Sequence, residues 1–200
     1  MSFANIEPRN GDVWCQLGGY AIKTNPEIEN FIGNNYKISP GLTIYGQVSP
    51  KNYLEFSLFN DFEKYVRLDQ GYRLIEGVNR VFFSTGYRRK VFSFLNVSAS
   101  LFSGYSVGDP GRYTELNAPM TTSASTVTIH GLTTGIDIQN FVSEFPLGIR
   151  LNYSKAFSEQ PGEKTDQYGI FIYYQFLAQR GLTSKQREEL RKLRNKKYKK

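Results

Sequence analysis

The sequence predicts an all-β fold, an eight-stranded antiparallel up-and-down β-barrel with a C-terminal basic helical tail, and three observations point there. The first is residues 91–107, VFSFLNVSASLFSGYSV, where Val91, Leu95, Val97, Ala99, Leu101, Tyr105 and Val107 share the odd positions and Asn96, Ser98, Ser100, Gly104 and Ser106 stand among the even ones. A period of two is the signature of a strand. At about 3.3 Å per residue this stretch would reach roughly 56 Å, so it needs partners of similar length. It carries no charge, and both faces tolerate being covered, which argues for a closed sheet rather than an exposed edge. The second observation is composition: Tyr 14, Phe 15 and Gly 18 in 200 residues favour strands and turns over helices. The third is the alternation of short and long connections, which emerges from the strands in order.

The first strand covers about residues 12–22, DVWCQLGGYAI, and a polar loop with Pro26 and Gly33 follows it. The second covers 36–48, with Tyr36, Ile38, Leu42, Ile44 and Val48 on the even positions; Pro40 lacks an N–H for the ladder and predicts a bulge or an edge there. Ser49, Pro50 and Lys51 turn the chain into a third strand over 52–65, and a short link leads to a fourth over 72–87. Arg88, Arg89 and Lys90 then form a charged turn into the fifth, residues 91–107. A Gly-, Pro- and Ser/Thr-rich loop of some eighteen residues precedes the sixth strand, 126–141; the seventh covers 146–157 and the eighth about 168–176. Links two to three, four to five and six to seven are short, whereas one to two, five to six and seven to eight are long. Alternate connections of a meander share one end, so the short turns form one rim, the long loops the other, and both termini leave from the short-turn rim.

The chain therefore divides into a barrel domain, residues 1–180, and a basic tail, 181–200. Nine Lys or Arg and two Glu lie in the tail, which leaves sixteen residues of each sign in the body and assigns the net charge of +7 to the tail alone. Thr183 followed by Gln186 has the form of a capping box and opens a helix with Leu190 and Leu193 on one side. Its cations, Lys185, Arg187, Arg191, Lys192, Arg194, Lys196, Lys197, Lys199 and Lys200, are candidate contacts to an acidic protein surface, nucleic acid or anionic lipid. Arg88, Arg89 and Lys90 are candidate partner contacts at the short-turn rim.

Catalytic, cofactor and metal sites are not predicted. Cys15 and His130 are each single, which leaves no Cys/His metal cluster, and a lone strand histidine is expected to be structural. Residues 104–111, GYSVGDPG, lack the Gly-Lys-Ser/Thr of a phosphate-binding loop. The carboxylate pairs Glu27/Glu29 and Asp61/Glu63 carry no metal-site spacing and read as solvated loop or rim.

The order of the segments resembles the conjugal transfer protein TraO family of Bacteroidetes, small outer-membrane barrels. The matching stretches are YKISPGLTIYGQVSPKNYLEFSL, GYRRKVFSFLNVSASLFSGYSVG, TTGIDIQNFVSEFPLGIRLNYSKAF and YGIFIYYQF, together most of residues 36–177. The resemblance implies a barrel in the outer membrane belonging to a conjugation apparatus. The start, MSFANIEPRNGD, has no charged segment followed by an apolar run, which predicts a chain that is not exported, a phage-borne relative without the export signal. On that basis the leading expectation is a non-enzymatic structural subunit of a bacteriophage neck or tail ring, assembled in the host cytoplasm with neighbouring subunits in a homo-oligomeric ring or hetero-assembly. The alternative is the outer-membrane conjugation barrel. The two differ in which strand face points inward, and a period-two pattern is the same either way.

Overall fold

The computed structural model describes residues 9–26, 37–69, 72–107, 111–114, 128–139, 145–157 and 165–197. The strands are β1 (Val13–Pro26), β2 (Lys37–Ser49), β3 (Asn52–Asp69), β4 (Tyr72–Lys90), β5 (Leu95–Ser106), β6 (Gly111–Thr114), β7 (Ile129–Gln139), β8 (Leu147–Ala156) and β9 (Thr165–Gln179), followed by α1 (Ser184–Lys197). Pairing runs β3-β2-β1-β9-β8-β7-β5-β4, and β4 pairs back onto β3, closing an eight-stranded antiparallel barrel. The predicted fold class is the observed one. Each wall strand has a neighbour on both sides, so the ring of strands closes, and only stretches toward the strand ends, such as residues 37–40, pair on one side alone.

The differences from expectation lie at strand ends. β4 does not stop at 87: it runs to Lys90, with Arg88 opposite Tyr53 on one side and Ser98 on the other. The turn is formed instead by residues 91–94, where the Val91 and Phe92 N–H groups both donate to the Leu95 carbonyl, at 2.9 and 3.1 Å. Charge misled the reading, because a triplet of cations belongs on a turn unless one of them is matched inside. The eighteen-residue loop also contains a strand, since β6 pairs with the far end of β4, Gly77 opposite Gly111. Pro40 lies where expected: β2 pairs with β3 only from Gly41 onward, so Pro40 faces β1 alone and its missing donor breaks no ladder.

The wall has an inverted polarity. Inward positions carry Gln16, Thr43, Gln47, Glu55, Ser57, Arg88, Ser100, Asp137 and Arg150, all buried. Outward positions carry Leu17, Ile44, Leu54, Leu101, Leu132, Ile136, Leu151 and Ile172, with Leu101 59% and Ile172 54% exposed. The apolar odd face of residues 95–105 is thus the outer face. An apolar belt around a polar interior is the pattern of a barrel solvated by lipid.

Candidate functional site

The lumen has two layers. Nearer the short turns, four charged side chains from four strands converge: Glu55 on β3, Arg88 on β4, Asp137 on β7 and Arg150 on β8. The Arg88 Nε–H donates to Glu55 Oε2 at 2.6 Å, and Arg150 Nη2 donates to Glu55 Oε1 at 2.5 Å. Arg88 Nη1 lies 3.0 Å from Asp137 Oδ2, while the Tyr173 hydroxyl donates to Asp137 Oδ1. Two acids and two guanidinium groups leave the cluster neutral. Arg88 Nη2 also donates to Gln16 Oε1 at 3.1 Å, Arg150 Nη2 donates to Ser98 Oγ at 2.8 Å, and the Arg88 guanidinium carbon sits 4.2 Å from the Tyr45 ring centroid. Gln16 and Gln139 both donate to Gln175 Oε1 at 3.0 Å, and Gln139 donates to the Tyr45 hydroxyl at 3.1 Å, which carries the network across the barrel. Each charge is removed from water, and each has an opposite charge within hydrogen-bond distance, the arrangement that makes buried ions tolerable.

Nearer the long loops the lumen is filled by rings. Phe171 stacks on Tyr20 with centroids 4.3 Å apart, Tyr20 on Phe59 at 4.9 Å, and Phe59 on Phe82 at 4.9 Å with planes 5° apart. Phe102 continues the row from Phe82 at 6.0 Å. Glycines opposite the rings make room for them: Gly148 faces Tyr173 and Gly104 faces Phe82 in register, and a Cβ at either glycine would fall inside the opposing ring's contact distance, at 2.1 and 2.6 Å. Between the layers, Tyr20, Glu55, Phe59, Phe102, Arg150 and Asn152 line a cavity of about 30 Å³, enough for about two water molecules.

The sequence-predicted contacts fall in different places. Arg88 is at the centre of the lumen, fully buried, and this corrects its assignment to a partner-binding turn; its charge is consumed by Glu55 and Asp137. Arg89 is exposed on the outer wall and Lys90 is half-buried at the end of β4. Of the tail cations, Lys185, Arg191, Lys192 and Arg194 are exposed along α1 and Arg187 is half-buried at its root; Lys196 and Lys197 complete the helix, whereas Lys199 and Lys200 lie outside the described residues. The capping box is present: Gln186 N–H donates to Thr183 Oγ1 at 3.2 Å and Thr183 N–H to Gln186 Oε1 at 2.9 Å. His130 pairs with Ser103 Oγ at 2.9 Å on an exposed stretch of wall. Glu27 and Glu29 lie outside the described residues. Sequence reasoning missed Glu55, Asp137 and Arg150 as a group. The available signal was a charge on the less apolar face in the middle of each of three strands, matched by Arg88 in a body of zero net charge.

At the short-turn rim the segment entering β1 and the segment leaving β9 are fastened together. Asp12 is fully buried; its carboxylate accepts the Gly181 N–H at 2.7 Å and the Arg9 N–H at 2.8 Å, and Arg180 Nη1 lies 3.4 Å away. Gly11 turns the chain there with φ of 90°. Arg187 closes the junction by donating to the carbonyls of Leu182 and Asn10 at 2.9 and 3.1 Å.

No protein-family model and no curated protein matches this chain. Solved structures do. Ail, the attachment invasion locus protein of Yersinia pestis, aligns with TM-score 0.55 and 10% identity over 84% of this chain and all of its own. The outer membrane protein OprG of Pseudomonas aeruginosa aligns with TM-score 0.56 and 12% identity over 87% of this chain and all of its own. At these identities the likeness is one of fold, an eight-stranded barrel shared with proteins of bacterial outer membranes.

Proposed function

We propose that this chain is an outer-membrane β-barrel with a sealed lumen, acting as a non-enzymatic structural component of its membrane. The observation that carries this reading is the inverted polarity: a belt of Leu, Ile, Val and aromatic side chains faces outward around a hydrogen-bonded interior whose central charge cluster is neutral. The expectation of a virion ring rested on the start of the sequence, the neutral body and the basic tail, and it required apolar faces turned inward, whereas the described strands turn them outward. A lumen plugged by the charged layer and the ring layer predicts that purified protein in a planar bilayer shows no steady conductance. Within this reading, the family resemblance favours a role in a conjugation apparatus, tested by the mating frequency of a strain lacking the gene.

The decisive experiment is fractionation of natively expressed protein. Recovery only in detergent extracts of the outer membrane supports the proposal, and recovery in a soluble fraction without detergent overturns it. A substitution sharpens the result: Leu101→Arg on the outer face is expected to cost about 2–4 kcal/mol in a bilayer, and almost nothing if that face meets water.

A further inference from the structure

The tail helix is the feature that the sealed barrel leaves unexplained, and its surface is ordered by side-chain type. Leu190 and Leu193 are one turn apart on one face, 52% and 64% exposed. At helical spacing Gln186 shares the leucine face, Arg194, Arg187 and then Arg191 flank it on one side, and Lys185 and Lys192 lie on the other side behind Glu189. Ser184 and Glu188 lie on the opposite face, and Glu188 is paired with Lys192 at 2.9 Å. Two exposed leucines beside a row of arginines suit a helix lying in a lipid interface, where long cationic side chains reach up to phosphates while the leucines enter the acyl boundary.

Where the helix begins adds a second observation. The same rim presents Phe92 and Phe94 in the turn after β4 and Phe145 just before β8, 58%, 54% and 58% exposed. Exposed aromatic tips at the end of an apolar belt belong at headgroup depth. α1 starts at that level, and its direction of departure is set: Asp12 holds the Gly181 N–H, and a Cβ on Gly181 would come within 2.4 Å of the Asn10 carbonyl oxygen.

Resting on the outer-membrane reading above, we infer that α1 is an interfacial helix that binds anionic phospholipid headgroups at the short-turn rim, with Leu190 and Leu193 facing the acyl boundary. The exposed aromatic side chains at the rim where the helix starts favour a lipid interface over an acidic protein partner. Each Lys or Arg held near an anionic surface contributes about a fivefold gain in binding, so several acting together are sufficient where two leucines alone are not.

The test uses the full chain carrying Cys15→Ser and Leu193→Cys, labelled with an environment-sensitive fluorophore and reconstituted in phosphatidylcholine discs or in discs that also contain phosphatidylglycerol. The expected result is a severalfold brighter, blue-shifted signal in the phosphatidylglycerol discs, reversed by high salt and by Arg191→Gln with Arg194→Gln. Identical water-like spectra in the two discs overturn the proposal. So does tail immobilisation by polyglutamate in phosphatidylcholine discs without a phosphatidylglycerol response, which would assign the helix to an acidic protein. Barrel insertion is read separately, from protease protection of residues 13–179. An inserted barrel with an unresponsive tail removes this inference alone, whereas a barrel that stays out of the discs removes the membrane reading and this inference with it.

Discussion

The two layers of the lumen fill the same bore by different physics. In the charged layer, Glu55 serves both Arg88 and Arg150, and Asp137 serves Arg88 and the Tyr173 hydroxyl, so removing one member leaves its partners buried and short of a counter-charge. In the ring layer, Tyr20, Phe59, Phe82, Phe102 and Phe171 fill space by stacking, and a neighbour can relax toward a vacancy. The charged layer therefore specifies which strands face one another, since only one register brings two acids to two guanidinium groups. The ring layer contributes volume and tolerates change. This contrast holds because a desolvated ion needs a partner at hydrogen-bond distance, whereas dispersion falls off gradually with a small gap.

The largest expected effect comes from Glu55→Ala, which strips Arg88 and Arg150 of a shared partner. It should lower stability by about 3–5 kcal/mol, read as a shift of the urea midpoint of the barrel reconstituted in vesicles. If that midpoint is unchanged, the charged layer is not a keystone. Gly148→Ala comes next. It drives a methyl group into the Tyr173 ring, whose hydroxyl holds Asp137, and overpacking of this kind costs about 1–3 kcal/mol. Phe82→Leu should be the mildest, below about 1.5 kcal/mol, because it removes little volume and forfeits only the ring contacts with Phe59 and Phe102. A Phe82→Leu loss equal to that of Glu55→Ala would erase the distinction between the layers.

Much of the wall could be read directly. The short turn at Ser49–Lys51, the position of Pro40 at an edge and the Thr183–Gln186 box all reappear, because each depends on groups a few residues apart. The end of β4 could not be read. Arg88, Arg89 and Lys90 have the same charge, and nothing local distinguishes the one that points into the barrel from its neighbours. Arg88 is resolved by Glu55, 33 residues away, and by Asp137 on β7, and Arg150 meets Glu55 across 95 residues. The four-residue β6 was hidden for a related reason: its pairing with β4 supplies ladder bonds that its own Gly-Arg-Tyr-Thr sequence does not advertise.

What the sequence determined by itself was the period of two, the number of wall strands, the alternation of short and long connections and a neutral body joined to a cationic tail. These are properties of neighbours along the chain. The tertiary structure decided which face of that period turns inward, since an alternating pattern is unchanged when inside and outside are exchanged. Only closure of the barrel breaks the symmetry. It draws Glu55, Arg88, Asp137 and Arg150 together from four strands, where their charges cancel, and that convergence leaves the leucines and isoleucines of the opposite face pointing out.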